Sequence, residues 1–196
     1  DSREEALSPR WSLDGREIVY RTAGSDGDIM VRPADGGAPI SLTNARGNDY
    51  YSPVWSPSGL RIAFGSNRTG RASVRLVSRD SLRGAWHAVE QLLDRWCGPS
   101  DWRGTDEAGL LCDTGGQAAL VSLHGNVLWI RAVLTKETHL SYWDWPKFSR
   151  DGRTMYFWAV HTDGRRGVWE WSDAGRGTMR LIISQEPAPV FPAPYL

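Results

Sequence analysis

A short pattern recurs along this chain at nearly constant intervals, and that recurrence limits the fold more than any other feature. It reads first as Ser8-Pro9-Arg10-Trp11-Ser12-Leu13-Asp14-Gly15-Arg16-Glu17-Ile18-Val19-Tyr20. It returns as Ser52-Pro53-Val54-Trp55-Ser56-Pro57-Ser58-Gly59-Leu60-Arg61-Ile62-Ala63-Phe64. A later copy is Trp145-Pro146-Lys147-Phe148-Ser149-Arg150-Asp151-Gly152-Arg153-Thr154-Met155-Tyr156-Phe157. Between them lies a degenerate copy, Pro99-Ser100-Asp101-Trp102-Arg103-Gly104, leading into Leu110-Leu111-Cys112. The anchoring aromatics Trp11, Trp55, Trp102 and Phe148 are 44, 47 and 46 residues apart. A period near 45 with strand-like content marks propeller blades of four strands each.

The expected fold is therefore all-β: a β-propeller of four-stranded antiparallel blades, about four of them, standing alone or as part of a larger propeller. The units run over approximately 7–43, 50–93, 99–132 and 143–184, in a single domain over 1–196. Alternation predicts strands at 7–11, 17–22, 28–32 and 39–42, then at 51–55, 61–65, 73–77 and 87–92. The third unit predicts 100–102, 110–112, 118–123 and 127–131; the fourth predicts 145–148, 154–159, 167–171 and 179–183. Residues 85–93 also fit one or two helical turns. Asp14-Gly15 is a tight turn in which Gly supplies the positive φ. A blade is apolar on both faces and buries them by stacking on its neighbours. Most of the 11 Trp residues, Trp145 among them, are expected between blades.

Charge excludes one class of partner. The 23 basic and 23 acidic side chains cancel, whereas a general nucleic-acid binder needs a basic excess for its phosphate contacts. No apolar run approaches the roughly 20 residues of a membrane helix, so no membrane insertion is expected. The opening Asp1-Ser2-Arg3-Glu4-Glu5 lacks the basic and apolar pattern of a secretion leader. Cys97 and Cys112 are too few for a disulfide framework; two buried thiols are favoured over one bridge.

The Ser-Pro-x-Trp-Ser-x-Asp-Gly run, followed by Asp28-Ile29-Met30-Val31, Asp35-Gly36-Gly37 and Leu42-Thr43, resembles the TolB-like (WD-repeat-like) family of propeller repeats. The match is close over 7–78 and 145–184 and weak over 79–144, where the third unit carries Arg103-Gly104-Thr105-Asp106 in place of the Ser-x-Asp-Gly turn. The resemblance implies six or more blades in the intact ring, so that four units form a piece of one. It implies a bacterial protein of the periplasm or another extracytoplasmic space. It also implies one of three settings: a periplasmic protein that binds partner peptides, a sensor attached to a kinase or regulator, or a propeller gating a serine peptidase. An incomplete ring exposes blade faces and strand edges, a route to self-association.

Reactive chemistry has weak support. Asp14, Asp151 and Asp163 each precede Gly, which is the place of a turn carboxylate. In the sialidase-type box the Gly stands one residue further on. His87, His124, His139 and His161 show no paired spacing for zinc, and the cysteines form no Cys-x-x-Cys. Asp26-Gly27-Asp28 and Asn48-Asp49 are oxygen-rich without the spacing of a calcium loop. No Gly-x-Ser-x-Gly elbow and no kinase signature set is present. The reading leans away from an enzyme and expects no catalytic residue, cofactor or metal.

What remains is a recognition surface. Asp49, Tyr50 and Tyr51 lead into the first strand of the second unit, and Tyr142, Trp143 and Asp144 into that of the fourth. Aromatics beside an acid suit a protein or peptide partner at a channel rim. Arg10 and Lys147 hold equivalent motif positions and are expected to face the channel.

Overall fold

The computed structural model describes residues 5–23, 27–43, 51–95, 97–113, 118–124, 127–129, 140–172 and 178–185. These residues form four separate four-stranded antiparallel sheets in chain order. The first blade holds β1 (Ala6–Trp11), β2 (Glu17–Thr22), β3 (Ile29–Pro33) and β4 (Ile40–Ser41). The second holds β5 (Tyr51–Trp55), β6 (Arg61–Ser66), β7 (Ser73–Ser78) and β8 (Glu90–Leu93). In the third are β9 (Gly98–Trp102), β10 (Leu110–Asp113), β11 (Ala118–Val121) and β12 (Val127–Trp129). The fourth has β13 (Leu140–Phe148), β14 (Thr154–His161), β15 (Arg166–Ser172) and β16 (Thr178–Ser184). Over 85–93 the chain is extended, with an Arg79–Trp86 bridge and then β8, so the helical alternative falls.

The turn after each first strand shows why the motif recurs. In the first blade the Ser12 hydroxyl donates to Asp14 at 2.7 Å and accepts the Glu17 N–H at 2.9 Å. Asp14 accepts the Arg16 N–H at 3.1 Å, and Gly15 takes φ 70°. Ser149, Asp151 and Gly152 repeat this in the fourth blade. Such a turn satisfies its own backbone donors and fixes the register of the hairpin. Gly152 has a further constraint: a Cβ there would lie 3.1 Å from the Arg103 carbonyl carbon of the third blade.

The core sits at the junctions between blades, each apolar cluster bridging two neighbours. Val19, Ile29 and Val31 of the first blade meet Trp55, Ile62, Phe64 and Val77 of the second. Val54, Ala63, Val74 and Leu76 of the second meet Trp102, Leu110 and Cys112 of the third. Leu111 and Leu120 of the third meet Met155, Phe157, Trp169 and Trp171 of the fourth. Alternation along each strand therefore sends odd and even side chains to opposite neighbours. The second blade is buried on both faces; the first and fourth are buried on one.

Among the described residues, two ion pairs cross these junctions. Arg79, 5% exposed, binds both carboxylate oxygens of Glu17. Asp106, 3% exposed, accepts the Ser58 N–H at 3.1 Å and the Ser58 hydroxyl at 2.7 Å, and pairs with Arg61. The second blade carries Ser58 where the first and fourth carry Asp, and the carboxylate arrives from the third blade's divergent loop.

The preference for free thiols is corrected. Cys97 and Cys112 form a disulfide, with Cα atoms 5.3 Å apart. Cys97 stands just before β9, whose Pro99 lies opposite Cys112 of β10, so strand pairing brings the two together.

Candidate functional site

The first strand of every blade is irregular at the same place. Register shifts between Leu7 and Arg10, between Tyr51 and Val54, opposite Leu111–Cys112, and between Asp144 and Lys147. Three of these bulges contain the motif proline, which has no N–H to lose from a ladder. Ser8 and Trp145 precede their prolines with φ of 52° and 53°. The bulge re-aims the residues that follow. Arg10, Val54, Asp101 and Lys147 then come together around one cavity of ≈ 510 Å³ at the ends of the first strands. The motif aromatics Trp11, Trp55, Trp102 and Phe148 line the same cavity.

The hydrogen bonds here tie one blade to the next. The Trp55 indole N–H donates to the Arg10 carbonyl at 3.2 Å. Asp101 accepts the Phe148 backbone N–H at 2.8 Å, and the Lys147 ammonium donates to the Ser100 carbonyl. Burial pulls the Lys147 pKa below its ordinary value; the Asp101 carboxylate opposes this, and the Arg10 cation adds to the depression. Arg10, Lys147 and Arg150 against Asp101 leave the lining with more positive than negative charge. Such a cavity can hold an anionic group against aromatic walls. Ser56 and Ser149, which also line it, are engaged in their turns.

A larger groove of ≈ 1020 Å³ lies between the first and second blades, beside Trp86, Leu82 and Arg83. Its inner charges are committed to one another: Arg79 to Glu17, and Asp14 to the Ser12 and Arg16 turn donors. The hub cavity is the stronger candidate, because equivalent positions of all four blades converge there. Among the described residues no cluster of three His, Cys, Asp or Glu is placed to hold a metal ion.

Of the expected rim residues, Arg10 and Lys147 line the hub cavity. Asp49 and Tyr50 lie outside the described residues, as do the side chains of Tyr51, Tyr142, Trp143 and Asp144, whose backbones run in β5 and β13. Tyr51 opens β5, and Tyr142, Trp143 and Asp144 precede the β13 bulge, whereas the cavity lies at the other ends of these strands. Trp145 corrects an expectation: it is 73% exposed rather than packed between blades. It stands inside the β13 bulge, where the left-handed backbone breaks the alternation, and Pro146 is buried in its stead. Trp11 is 62% exposed, whereas its equivalents Trp55 and Trp102 are buried against preceding blades. Asp101 and Arg150 were not anticipated; Asp101 sits at the same motif position as Arg10 and Lys147, and that equivalence was the available signal.

No protein-family model matches the chain, and no curated protein matches it in sequence. Solved structures do match in fold. A TolB from Acinetobacter baumannii superposes with a TM-score of 0.67 at 18% identity, covering 91% of this chain and 43% of its own. An oligogalacturonate lyase in complex with manganese gives 0.64 at 13% identity, over 95% of this chain and 55% of the lyase. A puromycin hydrolase gives 0.63 at 19% identity, over 98% of this chain and 31% of the hydrolase. This chain thus spans less than half of the TolB chain and about a third of the hydrolase.

Proposed function

From a chain with the TolB-like propeller fold, we propose a non-enzymatic binding module that holds a protein or peptide partner at the hub, in the periplasm or another extracytoplasmic space. One observation carries the reading: equivalent positions of four blades converge on a cavity with aromatic walls, Arg10 and Lys147. Aromatic anchors with a few fixed polar groups are the usual composition of a recognition site. At the cavity, Ser56 and Ser149 are held in turns and the Lys147 ammonium is engaged by the Ser100 carbonyl. Recognition then proceeds by shape, aromatic contact and charge, with no covalent step.

The test is retrieval of partners on the immobilised chain, comparing wild type with Arg10→Glu and Trp11→Ala. Both residues are exposed, so melting should stay unchanged while a hub-bound partner is lost. Undiminished retrieval by both variants refutes the hub reading.

A second reading has its own support. The chain aligns almost end to end with about a third of a puromycin hydrolase, as the substrate-gating or sensing propeller of a larger enzyme would. A catalytic domain encoded next to this segment distinguishes it from the first.

A further inference from the structure

The turn that leaves the first strand is shared by several blades, but the residues flanking it differ. The position after the motif serine holds Leu13 in the first blade, Pro57 in the second and Arg150 in the fourth, where Arg153 also follows the turn glycine. The third blade's shortened turn brings Arg103 against this pair. Its Nε donates to the Gly152 carbonyl at 3.1 Å, and its guanidinium lies 5.7 Å from the Phe148 ring centre. The two turns meet backbone to backbone, since a Cβ on Gly104 would stand 3.2 Å from the Gly152 nitrogen. A pocket of ≈ 480 Å³ opens beside them, walled by Arg103, Arg150 and Arg153. Asp151 is the one carboxylate in its lining, and it already accepts the Ser149 hydroxyl at 2.6 Å and the Arg153 N–H at 3.1 Å. At the preceding junction Asp106 answers Arg61; here three guanidinium groups share one committed acid. Arg150 and Gly104 also line the hub cavity, so the pocket runs on towards Arg10 and Lys147.

We propose that this junction docks an acidic segment of a peptide partner, one with several Asp or Glu side chains in close succession. The proposal rests on the binding-module reading for the kind of partner and adds its chemistry and a second point of contact. Guanidinium groups are planar forks that match carboxylates, and two of these, Arg150 and Arg153, reach solvent. In a chain whose charges otherwise cancel, a local cationic excess steers an acidic segment to this junction. A pocket of this size takes side chains. A nucleic-acid strand instead draws its affinity from many phosphate contacts along a basic track.

Fluorescence anisotropy with a fluorescein-labelled hexaglutamate peptide tests this, with hexaglutamine and hexathymidylate labelled alike as comparisons. Hexaglutamate should bind, and added salt should weaken it. Combining Arg150→Ala with Arg153→Ala should weaken it about tenfold. The same variant should melt as wild type does, because both side chains are exposed and the turn bond to Asp151 comes from the Arg153 backbone. Failure of hexaglutamate to bind, equal binding of hexaglutamine, tighter binding of hexathymidylate, or unchanged affinity in the double variant each overturns the proposal. Trp11→Ala leaves every arginine of the junction in place and so separates the two readings. A partner lost on Trp11→Ala, with hexaglutamate indifferent to Arg150 and Arg153, keeps the hub and removes the junction. Hexaglutamate lost on the double variant, with the partner retained on Trp11→Ala and Arg10→Glu, does the reverse.

Discussion

Arg79 of the second blade grips both carboxylate oxygens of Glu17 on the first, at 3.1 and 2.6 Å. The same guanidinium donates to the Gly59 carbonyl at 3.1 and 2.9 Å and lies over Trp86, 4.5 Å from its ring centre. Removing one partner of a buried pair strands the other, at a cost of roughly 3–5 kcal/mol. Glu17 keeps some contact with water, its side chain being 21% exposed, which places Arg79→Ala at about 3 kcal/mol. Chemical denaturation measures this; a change below about 0.5 kcal/mol means the pair contributes no more than an ordinary surface site.

The Ser58–Asp106 contact predicts a rescue. Asp106→Ala leaves Arg61 and the Ser58 N–H without their carboxylate and should cost about 2 kcal/mol. Ser58→Asp alone sets two carboxylates together and should also destabilise. With both changes made, the carboxylate introduced by Ser58→Asp caps its own turn as Asp14 does, and stability should recover by about 1 kcal/mol relative to Asp106→Ala. Urea midpoints of the four proteins form the cycle, and simple additivity contradicts the exchange.

The disulfide closes a short loop, its cysteines standing 15 positions apart in the sequence. Loop-closure entropy assigns about 3 kcal/mol to a bridge of that span. Reduction, or Cys97→Ser with Cys112→Ser, should lower the unfolding free energy accordingly. Alkylation followed by mass measurement should add no label to the oxidised denatured protein and a label on each cysteine after reduction.

Acid should loosen the outer turns. The Arg165 backbone N–H, with the Arg165 side chain and His161, holds Asp163 at about 2, against its ordinary 3.8. The Ser12 hydroxyl and Arg16 N–H lower Asp14, and Ser149 and Arg153 lower Asp151 in the same way. A depressed folded value means the unfolded chain binds protons first. The stabilisation is complete above 3.8 and is lost as pH falls towards 2. Melting temperatures across that window should drop less steeply for Asp163→Asn than for wild type, and parallel curves refute the assignment.

Much of the architecture was readable because it is written locally. The Glu17–Thr22 alternation and the Ser-x-Asp-Gly turns act within a few residues, and β2 falls where alternation put it. β13 begins at Leu140, five residues before its expected start, because its pairing with β14 continues past the bulge to His161. The Asp106–Ser58 contact spans 48 residues and replaces a motif residue with one from another unit, which local periodicity does not register. Trp145 has the composition of a buried residue and the backbone of a bulge, and the backbone decides. In the hub, Arg10 and Lys147 share a motif position that the sequence displays; the charge balance with Asp101 needs all four strands in place.

The borrowed acid at Ser58 has a consequence for the chain as a set of modules. Deleting, duplicating or reordering units between the second and third would separate Arg61 from Asp106, leaving one loop short of a carboxylate and another with one unclaimed. These two units therefore travel as a pair, and an engineer who cuts this chain should cut elsewhere.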